Sequence, residues 1–133
     1  MKKVYAAVIT PIPDSGGYAV RVPDVSGCIT TGADIQEALE NIKDALAGCL
    51  CTLEDYNDPV PEPTAPEAVE HDADSIIALV DVDTLKYREE TDTRAVRKNV
   101  SMPAWLLNMA ESRGVNCSQV LQDALKREFG FIV

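Results

Sequence analysis

The residues best suited to chemistry in this 133-residue chain lie near its C-terminal end, in the stretch RKNVSMP. Read as a strand, it places Arg97, Asn99 and Ser101 on one face and Lys98, Val100 and Met102 on the other, because side chains alternate. A guanidinium grips guanine, and a carboxamide grips adenine, through two hydrogen bonds each. If two copies of the strand paired antiparallel, their outer face would repeat the Arg, Asn, Ser set on a two-stranded ribbon, a width the DNA major groove admits. The other reading of the same residues is an ordinary edge strand with one polar face.

The elements that must position this strand follow it directly. Pro103 opens a helix predicted to run to about Arg113, Gly114 ends it, and Asn116 caps a second helix to about Phe129. Leu106, Met109 and Ala110 fall on one face of the first helix, and Val120, Leu121, Ala124 and Leu125 on one face of the second. About 40 residues of strand, helix, turn and helix bury too little surface to stand alone, so Val100, Met102, Leu106, Val120, Leu121 and Leu125 are expected to form the core of a dimer.

This order of elements resembles the ribbon-helix-helix DNA-binding family over nearly the whole tail. The resemblance implies that Arg97, Asn99 and Ser101 read bases, and that Asn116, Cys117 and Ser118 meet the DNA backbone. Unpaired N–H groups and the positive end of the helix dipole give the second assignment its physical reason. Lys98 stands where that family usually has an apolar residue. The expected assembly is a homodimer through this tail, with pairing of dimers into tetramers left open.

Charge divides the chain in the same way. Residues 1–92 hold 6 Lys+Arg against 19 Asp+Glu, and residues 93–133 hold 6 against 3, within a formal net charge of −10. The acidic part suits a basic protein and the basic part suits phosphate. No apolar run approaches the roughly 18 residues of a membrane helix, and the first residues lack the pattern of a signal peptide, so the expected location is cytoplasmic with no membrane partner. Cys28, Cys49, Cys51 and Cys117 form no CxxC pair and His71 is the single histidine. The expectation is a reducing compartment, no metal and no cofactor.

Before the tail, KKVYAAVITPI and residues 18–22 read as a hairpin, residues 28–31 as a short third strand that Gly32 breaks, and Asp34 with Glu37 as a helix cap. Ile35, Ala38, Leu39, Ile42, Leu46, Cys49, Leu50 and Leu53 then keep helical spacing and predict the face that covers the hairpin. A proline-rich acidic stretch reads as a surface loop, SIIALVDV as a further strand, and the charged residues 86–93 as a linker. The predicted domains are therefore 1–85, the linker 86–93, and 94–133.

GGYAVRVPDVSGCITTGADIQEALENIKDAL, followed by VPEP, resembles the HicB antitoxin family over about half the chain, with Ser26 where proline is common. The resemblance implies an α+β fold: a partial RNase H-like β-β-β-α-β domain ahead of the ribbon-helix-helix domain. It also implies a small basic RNA-cleaving toxin of the HicA type as partner. Pro23, Asp24, Gly27, Gly32 and Asp34 read as turn and cap formers. Nuclease chemistry needs carboxylates gathered around divalent metal, whereas Glu37, Glu40 and Asp44 fall on the helix exterior, so no catalytic residue is expected. The expected function is an antitoxin that binds a HicA-like toxin and represses its own operon by binding operator DNA. The alternative is a ligand-sensing transcriptional repressor without a toxin partner.

Overall fold

The computed structural model describes residues 1–131, which divide into two compact units, one spanning Lys2–Thr91 and the other beginning at Asp92. In the first unit four antiparallel strands, β1 (Lys2–Pro11), β2 (Tyr18–Arg21), β3 (Ile29–Gly32) and β4 (Ile76–Asp83), lie in the order β3-β2-β1-β4. The β1–β2 hairpin closes where the Ile12 amide donates to the Gly17 carbonyl at 2.8 Å, with Gly16 at φ 73° supplying the left-handed turn residue. β4 returns along β1 without a bulge, from Lys2↔Asp83 to Ile9↔Ile76.

Helix α1 (Ile35–Asp55) starts as expected: the Asp34 carboxylate accepts from the Glu37 amide at 2.8 Å. Its buried residues are Ala38, Ile42, Leu46, Ala47, Leu50 and Cys51. They complete a core with Tyr5, Ala7, Ile9, Val20, Val22, Val80 and Val82, all of which are buried. At roughly 1.5–3 kcal/mol for each large side chain buried, this layer is the unit's main support. The buried stripe differs from the predicted one within and at both ends: Leu39 and Leu53 are half-buried and Ala47 is buried. Ile35 is exposed, and Cys51 rather than Cys49 is buried.

The reason for the second shift is a helix that the sequence pattern does not suggest. Residues 86–91, read as linker, form most of α2 (Thr84–Thr91), which packs on the C-terminal part of α1. Arg88 donates to Asp55 at 2.9 Å, to Glu54 at 3.2 Å and to the Cys51 carbonyl at 3.0 Å, so α2 shields the shoulder of α1 where Cys51 lies.

Gly32 is also more than a strand breaker. It is the last residue of β3, and a Cβ there would sit 2.6 Å from the Ala38 Cα, so its missing side chain lets the first turn of α1 rest on the sheet. The proline-rich stretch is a tied loop containing a short 3₁₀ turn, Pro66–Ala68. Tyr5 donates to the Pro61 carbonyl at 2.6 Å, Lys3 meets Glu62 at 3.1 Å, and Asp24 holds Thr64.

In the second unit, α3 (Ala104–Ser112) and α4 (Cys117–Glu128) follow a segment, residues 92–103, that forms no strand in the single chain. The predicted strand over this segment is therefore not an element of one copy. A ladder needs a partner strand, and a single copy offers it none.

Candidate functional site

The tail is built around one turn. The Val115 amide donates back to the Ala110 carbonyl at 2.9 Å and Gly114 takes φ 65°, so α3 ends in a glycine cap. Asn116 then caps α4, its side chain accepting from the Gln119 amide at 3.1 Å, as the sequence predicts. The first backbone bond of α4 runs from the Val120 amide to the Asn116 carbonyl at 3.0 Å. The amides of Cys117 and Ser118 precede it, at the positive end of the helix dipole. The Ser118 hydroxyl accepts from Gln122 at 3.1 Å, and Lys126 and Arg127 occupy the last turn, where cations suit the dipole.

None of the residues 92–131 is buried. Val100, Met102, Leu106, Val120, Leu121 and Leu125 are between 37% and 53% exposed, although an amphipathic pair of helices turns such residues inward in a folded domain. Arg97, Asn99 and Ser101 are exposed on the irregular segment that leads into α3. In the single chain the six residues expected to form a dimer core are thus left half in water.

The first unit carries the acidic surface. Glu37, Glu40 and Asp44 are exposed on α1, as predicted for a solvated face. Among the described residues, no group of three or more His, Cys, Asp or Glu side chains is placed to hold a metal ion. A groove of about 740 Å³ runs beside α1, α2 and the end of β4. Lysines and carboxylates both line it, with Lys2 meeting Asp83 at 3.8 Å, Lys43 meeting Asp81 at 3.3 Å and Lys86 meeting Glu90 at 3.9 Å, while Lys3, Glu40 and Asp44 lie on the same wall, so neither sign of charge singles out a small ligand. No helix among the described residues is long and apolar enough to cross a membrane.

The cysteines are free. Burial, with the Cys49 thiol alongside, pushes the Cys28 thiol up to about 11, so it stays protonated near neutral pH and packs as a small apolar group. Burial also raises the Cys51 thiol. No sequence signal marks the Asp24–Thr64 clasp, because its two ends belong to different loops.

Across residues 5–124, a span that takes in most of the sheet, α1 and most of the two-helix tail, the chain matches the family described as "HicB_like antitoxin of bacterial toxin-antitoxin system". The chain belongs to this HicB-like antitoxin family. Its members are regulatory proteins and not enzymes. The chain is similar to antitoxin HicB of Escherichia coli, with 24% identity over 136 residues, 97% of this chain and 98% of that one. It is also similar to the crystal structure of Burkholderia pseudomallei antitoxin HicB, at TM-score 0.55 and 27% identity, covering 92% of this chain and 96% of that one. A chain of a toxin–antitoxin complex from Streptococcus pneumoniae shares the fold at TM-score 0.61 and 24% identity, covering 96% and 99% of the two chains.

Proposed function

We propose that this HicB-like antitoxin neutralises a small basic HicA-like RNA-cleaving toxin through its acidic first unit, and represses its own operon through its tail. The first unit corresponds to the partial RNase H-like domain, and the tail to a ribbon-helix-helix domain. The observation that carries the second half is the half-exposed apolar set on α3 and α4. Two tails that share these residues in one core would also supply the missing ladder partner, so that the segments around 97–102 pair as an antiparallel ribbon. Arg97, Asn99 and Ser101 then line the outer face toward base edges. Asn116, Cys117 and Ser118 bring the start of α4 to a phosphate.

For the first half, the support is family membership together with charge. Residues 1–92 carry 19 acidic against 6 basic side chains, which favours and speeds encounter with a basic partner. Co-expression with the product of the adjacent open reading frame tests this reading. A short basic protein should copurify with the full chain, and its growth inhibition should be relieved. If the neighbouring product neither binds nor inhibits growth, the antitoxin reading fails.

A further inference from the structure

We propose that the outer edge of β4 is a docking edge, which takes an extended partner segment with an apolar centre and basic flanks as a fifth strand of the sheet. The inference rests on the antitoxin reading for the identity of the partner, a basic protein, and goes beyond it by naming the edge and the mode of recognition.

β4 is an end strand, and among the described residues its ladder partner is β1 alone. Proteins normally blunt such an edge with a bulge, a proline, a lysine or a covering loop, because its outward N–H and C=O groups are a template for another strand. Residues 76–80, IIALV, have none of the first three, and their register with β1 is unbroken. Side chains on both faces are bare as well: Ile76 is 50% exposed and Leu79, on the opposite face, 61%. An added strand would cover both.

Charge selects the occupant. Asp72 and Asp74 precede this apolar run, and Asp81 and Asp83 follow it. Lys43 and Lys2 meet the second pair at 3.3 and 3.8 Å, in surface contacts weak enough for an incoming arginine or lysine to compete with. A second copy of this chain is disfavoured at the same edge. Antiparallel self-pairing about Ala78 would set Asp74 opposite Val82 and Asp81 opposite Ser75, bringing the acidic groups of the two copies together at each end, where facing like charges destabilise a ladder. A strand with arginine or lysine at both ends gains at the same two places, and main-chain bonds supply the rest of the affinity.

Amide hydrogen exchange on the full chain tests the proposal with two synthetic peptides of alternating valine and threonine, one ending in paired arginines and one in paired glutamates. The arginine peptide should slow exchange at residues 76–80 by at least about tenfold, and the glutamate peptide should not. Asp72→Lys combined with Asp74→Lys, both in an exposed turn outside the core, should abolish the slowing while the circular dichroism spectrum stays unchanged. Equal effects of the two peptides, no effect of either, or protection of β4 that grows with protein concentration alone would each overturn it. A copurified basic protein that leaves β4 exchange unaltered would also remove the docking edge while the antitoxin reading survives. Protection by the arginine peptide when no basic protein copurifies would do the reverse.

Discussion

The Asp24 carboxylate accepts both the backbone amide of Thr64, at 2.8 Å, and its hydroxyl, at 2.6 Å, and so clasps the turn after β2 to the loop after α1. Asp24→Ala should cost roughly 1–2 kcal/mol, the net worth of such bonds at an exposed site. Asp24→Asn keeps one acceptor oxygen and should cost less. Urea unfolding of the full chain reads this as a lower midpoint with an unchanged slope. A midpoint for Asp24→Ala equal to the parent's would show that the clasp contributes nothing.

Tyr5 is fully buried and donates to the Pro61 carbonyl. Burial, reinforced by the Glu62 and Asp24 carboxylates, pushes its phenol from 10.0 to about 12. The unfolded chain therefore releases this proton first, so the contribution to stability is complete below pH 10.0 and is lost as pH rises toward about 12. Tyr5→Phe should remove that alkaline loss while also removing the bond to Pro61. Tyrosinate absorbance during an alkaline titration should lack its highest-pH component in the variant. An unchanged titration would mean that Tyr5 is not the late phenol.

Much of this fold is legible in the sequence because its elements announce themselves locally. The hairpin is written in the apolar run of β1 and the glycines that follow it, α1 in the Asp34 cap and the spacing of Ala38, Ile42, Leu46 and Leu50, and α4 in Asn116. α2 is hidden for a physical reason. TLKYREET has no apolar stripe, and Arg88 joins it to Glu54 and Asp55 of α1 through ion pairs that no local pattern encodes. Helical spacing misplaces Cys51 for the same reason, since its cover comes from α2. The residues proposed to meet DNA follow from alternation and helix capping, both local rules. The proposed ribbon would need a second copy, so a single chain could carry its side chains only without its ladder.

If the exposed apolar residues of α3 and α4 gain their cover from a second copy, as proposed, loss of the tail should abolish dimerisation. A chain ending at Thr91 should sediment as a monomer while the full chain sediments as a dimer or larger. Leu121→Lys, which places a charge in the shared core, should weaken assembly of the full chain without unfolding the first unit. A truncated chain that remains dimeric would place the interface in the first unit.

If Arg97 and Asn99 read base edges from a paired ribbon, Arg97→Ala should cost about 1–3 kcal/mol for each bidentate pairing with a base and should flatten the preference for operator over scrambled DNA. The dimer carries the change twice. Ser118→Ala, at the start of α4, should instead weaken binding to both DNAs by similar factors, as expected for a group that positions the protein on phosphate. Binding of the basic partner should be spared in both variants, since the first unit is untouched. Both affinities must be measured at one fixed salt concentration, because the phosphate contribution falls steeply as salt rises. Equal affinity of the parent chain for the two DNAs, or an Arg97→Ala variant with operator preference intact, would remove this segment as the reading element.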